Sequence, residues 1–192
     1  LIKPLVLGYF DLKKENRDHK RFKRNATTFR ALLNDTPKIN LLTLDQFPTI
    51  EIGKNEAKNE LLLFLSPSCG HCHTAFKDAM ALLEKYSDDL KIRIGFNVNL
   101  ENENNPYSVI VSTIVEQNKQ FNNAKELLTN WHIEKIGIDA FNVAYQTVIS
   151  DETKNTITSQ FKWCNENGFN YAPVKIFNKK LMPKEYTIND LH

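Results

Sequence analysis

The chain is poor in the features that would commit it to an unusual class. Its 192 residues include three Cys, six Gly, seven Pro and two Met. Three cysteines are too few to staple a small disulfide scaffold, and an odd count leaves one thiol without a partner inside the chain. No run approaches the roughly 18 apolar residues that a membrane-spanning helix needs. Neither sign of charge dominates: 25 Lys and Arg face 23 Asp and Glu, a formal net charge of +2. Composition therefore gives no reason to expect nucleic acid as a partner. An initiator Met and a signal-peptide pattern are both missing, and the abrupt Leu1-Ile2-Lys3-Pro4 start reads as a piece cut from something longer. Core material is plentiful, with 41% hydrophobic residues and twelve Phe, enough for one domain with additions.

After Gly8 the first 35 residues contain no further Gly, and no Pro falls between Pro4 and Pro37. Loose helical spacing of apolar residues there predicts one or two helices over about 4–34. The stretch His19-Lys20-Arg21-Phe22-Lys23-Arg24 is either a solvated helix face or a juxtamembrane basic segment. Residues 35–47 read as a linker. An alternating strand over 49–53 and a turn over 54–60 lead into Leu61-Leu62-Leu63-Phe64-Leu65, whose continuous apolar character suits a strand buried on both faces. Ser66-Pro67-Ser68 ends it, and Ala75, Phe76, Ala79, Met80, Leu82, Leu83 and Tyr86 recur at helical spacing over 70–86. Residues 90–96 alternate again, which completes a strand–helix–strand unit and implies a parallel pair with a right-handed crossover. From Pro106 to about Gly168 three or four helices are expected, with breaks near Asn122, Asn130 and Gly137. A hairpin follows, with strand 174–177, a turn at Asn178-Lys179 and a partner over 180–182, and a final helix begins at Ile188.

Cys69-Gly70-His71-Cys72 falls where the buried strand stops and the helix starts. Unpaired N–H groups and the positive end of the helix dipole stabilise a thiolate there. Cys69 is thus the candidate nucleophile for disulfide exchange, and Cys72, one turn in, the candidate resolving thiol. A protonated His71 adds positive charge beside Cys69, which favours the reduced form and makes the pair more oxidising. Three other readings compete. With His73 the motif spells CxxCH, the attachment signature of c-type haem, with Met80, Met182 or His132 as axial candidates. Cys69, Cys72, Cys164 and a His would make a zinc quartet, although no second closely spaced ligand pair exists. The two cysteines would otherwise be plain core residues. The strand–CxxC–helix context selects redox chemistry, with no metal and no cofactor. About a hundred residues on, Tyr171-Ala172-Pro173-Val174 opens a strand. Pro173 there is either an ordinary strand-opening proline or a cis-proline whose neighbouring backbone pairs with a substrate chain. Ala172, Pro173 and Gly70 are the substrate-contact candidates. Cys164 reads as a small buried apolar residue, or as a third redox thiol. His73 and His132 read as ordinary surface or helix residues, Trp131 and Trp163 as core, with Trp163 a second candidate for the substrate groove.

The order strand, CGHC, helix, strand, helical insert, Ala-Pro, hairpin resembles the thioredoxin superfamily, and the long insert resembles its DsbA-type branch. More narrowly, the chain is similar to the thioredoxin-like C-terminal domain fused to vitamin K epoxide reductase homologues of Bacteroidetes-type bacteria. Phe22-Lys23-Arg24-Asn25, Phe29-Arg30-Ala31-Leu32-Leu33, the segment 66–72, Trp163-Cys164-Asn165-Glu166-Asn167-Gly168 and the ending 180–191 carry that likeness. The resemblance implies an α/β thioredoxin-like fold over 48–192, a central mixed sheet flanked by helices with an insert over about 105–168, behind an N-terminal helical extension over 1–47. It also implies an extracytoplasmic, periplasmic protein that takes electrons from protein thiols and passes them to a membrane-embedded, quinone-linked reductase domain of the same polypeptide. Many superfamily members place a buried acid six residues before the first cysteine to move protons at the second; here that position is Leu63. A thioredoxin-like peptide-binding or chaperone-like module without redox turnover is the alternative function.

Overall fold

A computed structural model describes Lys14, residues 22–23, 25–40 and 42–191. The described residues form six α-helices and a five-stranded mixed sheet: α1 Ala26–Asp35, β1 Ile50–Gly53, β2 Asn59–Leu65, α2 Gly70–Lys85, β3 Leu90–Phe96, α3 Ser108–Phe121, α4 Ala124–His132, α5 Ile138–Ala144, α6 Asp151–Glu166, β4 Val174–Phe177 and β5 Lys180–Leu181. The strand order is β1-β3-β2-β4-β5. β2 and β3 run parallel, joined through α2, and every other neighbouring pair is antiparallel.

β2 is central, so both of its faces need cover, which is why its sequence is an unbroken apolar run rather than an alternation. Leu61, Leu63 and Leu65 point into the larger core with Cys72, Phe76 and Ile114. Leu62 and Phe64 point the other way, onto Trp163, Cys164 and Val174. All five residues 61–65 are essentially inaccessible to water, each worth roughly 1.5–3 kcal/mol on burial. Phe64 stacks on Trp163 with ring centroids 5.0 Å apart. Its register partner on β3 is Gly95, where an added Cβ would sit 2.6 Å from the Phe64 ring, so the small residue there is required by the ring lying across it.

The helical insert resolves into four helices. Asn122 breaks the chain as expected, with a left-handed φ of 52° at the end of α3. Asn130, an expected break, instead lies inside α4, held by a hydrogen bond between its side-chain amide and the Tyr145 hydroxyl. A further break precedes α6, where the Ser150 side chain caps the helix by accepting from Thr153 N–H. Within the insert, buried Glu116 on α3 ties that helix to the start of α6: it accepts from Ser150 N at 2.9 Å, Ser150 Oγ at 2.6 Å and Thr153 Oγ1 at 2.7 Å. Those bonds, the Ser150 hydroxyl foremost, hold its carboxyl at about 2.

Three expectations at the edges change. The stretch expected as a linker packs on the second face of the sheet: Leu44, in a 3-10 turn Leu44–Gln46, is fully buried, and Ile39 N–H donates to Lys179 O. The expected final helix is a single 3-10 turn, Ile188–Asp190, closed by reciprocal Thr187–Asp190 capping bonds. Of the helices expected over 4–34, α1 accounts for the C-terminal part; most of the rest, including most of the basic patch, lies outside the described residues. The hairpin turn meets its expectation, with Asn178 and Lys179 both at positive φ.

Candidate active site

Cys69 is the N-cap of α2 in an extended backbone conformation, so its side chain stands at the helix end beside unpaired N–H groups. A tight turn places it there: Cys69 N donates to Ser66 O at 3.1 Å and Cys72 N to Cys69 O at 2.9 Å. Trp131 braces this turn from α4, its indole N–H donating to Pro67 O at 3.1 Å. Cys69 is half-buried, Cys72 is fully buried and both thiols are free. The Cys72 Sγ accepts from Ser66 N at 3.4 Å. Burial pushes the Cys72 thiol well above the ordinary thiol range, the neighbouring Cys69 adds to this, and the Ser66 N–H opposes it.

The Ala172–Pro173 peptide bond is cis, and Cys69 Sγ donates to Ala172 O at 3.2 Å. Sequence-distant Cys69, Ala172 and Pro173 therefore meet where β2 ends and β4 begins. A groove of about 540 Å³ opens beside them, lined by His71, Ala75, Pro173, Lys175, Met182 and Ile188 among others. A second hollow of about 430 Å³ is lined by Cys69 itself with Ser66, Asn97, Asn165, Asn170 and Tyr171. His71 is exposed, and nothing crowds the Cα of Gly70.

Leu63 is buried in the larger core, so no carboxylate stands at that place. The residue opposite it on β4 is Lys175, whose Nζ donates to Tyr186 O at 2.8 Å; desolvation lowers its pKa. Cys164 lies on the opposite face of the sheet from Cys72, and burial pushes its thiol up to about 12. The zinc quartet with Cys72 and Cys164 is thus not assembled, and among the described residues no group of three or more His, Cys, Asp or Glu is placed to hold a metal ion. Trp163 is core: its indole N–H donates to Thr43 Oγ1 at 3.1 Å beneath the sheet. His73 and His132 are helix residues, on α2 and α4, and they meet. Their Nδ1 atoms lie 2.9 Å apart, and His132 is buried with Nε2 unpartnered. Desolvation, with His73 alongside, lowers the His132 pKa to about 3; desolvation, then Lys135, also lowers that of His73. Asn97 also escapes a reading from sequence, because only the fold brings the end of β3 to the loop before β4.

A family model described as thioredoxin matches residues 46–191. The chain belongs to the thioredoxin family. Solved structures similar to it include a periplasmic thioredoxin-like protein from Salmonella enterica serovar Typhimurium, at 15% identity and a TM-score of 0.62, covering 81% of this chain and 94% of that one. Proteus mirabilis ScsC in a compact conformation is similar at 14% identity and 0.63, covering 100% and 91%. The thiol-disulfide exchange protein alpha-DsbA2 from Wolbachia pipientis is similar at 14% and 0.56, covering 91% and 94%. At these identities the likeness is one of fold. A search of curated proteins found no match. Among the described residues no helix of this thioredoxin-family chain is long and apolar enough to cross a membrane.

Proposed function

We propose that the chain is a protein thiol–disulfide oxidoreductase whose working pair is Cys69 and Cys72. The observation that carries this is the half-exposed Cys69 thiol at the start of α2, 3.2 Å from the carbonyl that precedes the cis Pro173, with Cys72 buried one turn behind. In the oxidising direction a substrate thiolate attacks Cys69 Sγ of the Cys69–Cys72 disulfide and expels Cys72 as thiolate, which takes up a proton. A second substrate thiolate then attacks its own sulfur in the mixed disulfide and expels Cys69, leaving the substrate oxidised by two electrons and the pair reduced. The reverse sequence begins with the Cys69 thiolate and ends with Cys72 resolving the mixed disulfide.

Ala172, Pro173 and Gly70 border the position of the substrate backbone in this reading, and His71 stands beside the reacting sulfur. Net flow is oxidising, supported by a CGHC motif with His beside Cys69 and by the missing acid at Leu63. The setting is extracytoplasmic. The electron acceptor is a membrane-embedded, quinone-linked domain of the vitamin K epoxide reductase type in the same polypeptide, joined through the N-terminal extension over 1–47 to a thioredoxin-like domain over 48–192. The residues quoted for that resemblance are its support.

Trapping separates this from a peptide-holding module without turnover. Cys72→Ala should accumulate dithiothreitol-releasable mixed disulfides with disulfide-containing proteins, the Cys69 thiolate expelling one of their sulfurs as thiolate, and Cys69→Ala should accumulate none. Equal peptide binding by both variants, with no covalent adduct from either, would point to the peptide holder.

A further inference from the structure

The loop facing Cys69 has little holding it. Between Phe169, whose N–H donates to Cys164 O at 2.8 Å, and Val174, where pairing with β2 begins, the chain crosses Asn170, Tyr171, Ala172 and Pro173. Phe169 is a buried plug against Trp163, while Asn170 and Tyr171 are exposed. Among the described residues, side chains reach the carbonyls of 169–173 from two positions. One is Cys69 itself, on Ala172 O. The other is Asn97, whose side-chain NH₂ donates to Phe169 O at 2.8 Å and to Tyr171 O at 3.0 Å.

We infer that Asn97 is a positioning residue, one that fixes the 169–173 loop at the distance from Cys69 that a substrate backbone requires. Two features support this. First, Asn97 stands on rigid ground: its N–H donates to Leu65 O at 2.9 Å, extending the β2–β3 pairing one residue past Phe96. Leu65 leads directly into Ser66, whose N–H meets Cys72 Sγ and whose carbonyl holds Cys69 N. Asn97 therefore references the loop to the same strand end that carries the cysteines. Second, the Cys69 tether is lost whenever the sulfur enters a disulfide, because it then has no S–H to donate. The Asn97 amide, which spends both of its protons on the loop, remains through every redox state. Asn at this place supplies two donors where Asp, of the same shape, supplies none.

This inference rests on the oxidoreductase reading for its kinetic consequence, and its test has one arm independent of that reading. In Asn97→Asp and Asn97→Ala, exchange of the Phe169 amide, the one N–H of 169–172 with a partner among the described residues, should quicken by about tenfold or more, as a tethered loop becomes a loose one. Exchange in β2 and α2 should stay within about twofold of the wild type. In the kinetic arm, oxidised protein is reduced either by a dithiol peptide, which must lie against the loop, or by dithiothreitol, which need not. The ratio of peptide to dithiothreitol rate constants should fall about tenfold in both variants. Unchanged exchange at the Phe169 amide overturns the inference, as does a peptide rate that falls only in step with the dithiothreitol rate. A wild-type protein that exchanges disulfides with neither reagent contradicts the oxidoreductase reading instead, and the exchange arm still decides whether Asn97 holds the loop. If Asn97→Asp fails to fold, Asn97→Ala, which adds no charge beside the two carbonyls, carries both arms.

Discussion

At the residue scale, two thiols three positions apart live in unlike surroundings. Cys69 lines the hollow it shares with Asn97 and Tyr171, and Cys72 is sealed behind it. Burial keeps Cys72 protonated through neutral pH, and Leu63 stands at the place where an acid could have taken its proton. When Cys72 must attack, its thiolate fraction limits the rate. Collapse of a mixed disulfide on Cys69 should therefore speed up about tenfold per pH unit between roughly pH 6 and 9. Rapid-quench measurement of adduct decay checks this, and a plateau below pH 8 would contradict it. The histidine pair has a consequence of the opposite kind. An unfolded chain protonates His132 near the ordinary 6.5, whereas the folded one resists until about 3. Over that interval the unfolded state binds the extra proton, so stability is lost as pH falls from 6.5 toward 3. At pH 5 the loss relative to pH 7.5 is about 2 kcal/mol from this group, at ~1.4 kcal/mol per unit. Urea unfolding at the two pH values should show it, and His132→Phe should flatten it; parallel losses in both proteins would remove His132 as the cause.

At the scale of elements, the β2–α2–β3 unit carries Cys69 and Cys72, and a close constraint within it is the Phe64 ring over Gly95. Gly95→Ala must displace that ring from Trp163 or bend β3, at about 1–3 kcal/mol. Thermal unfolding should report a midpoint several degrees lower, and Phe64→Leu in the same chain should recover part of it. An unchanged midpoint would mean the ring is free to move. Much of this unit was legible in the sequence, because an unbroken apolar run, a Ser-Pro-Ser stop and a 3.6-residue apolar period are local signals. So was the hairpin turn, where Asn178 and Lys179 take positive φ. The breaks within the insert were less legible: Asn130 suggests a break by composition, yet a hydrogen bond to Tyr145 absorbs it into α4. Leu44 looked like linker because only a distant partner, the second face of the sheet, buries it. Asn97 and the His73–His132 contact were invisible for the same reason, since each depends on residues brought together from far apart in the chain.

At the scale of the whole molecule, the mixed sheet separates two chemical compartments. One face packs α2 and its cysteines against the insert; the other buries Cys164 with Trp163 and Phe169. That separation supports the proposed pairing: Cys69 and Cys72 share one face of the sheet, and Cys164 lies on the other. The direct test is a redox titration in glutathione buffers, with acid trapping, alkylation and mass mapping of all three cysteines. A single two-electron transition is expected, in which the Cys69–Cys72 disulfide appears and Cys164 remains a thiol. The expected midpoint is nearer the protein disulfide isomerase value of about −180 mV than the thioredoxin value of about −270 mV. A Cys69–Cys72 disulfide that never forms, or one in which Cys164 takes the place of either partner, would contradict the proposed pairing.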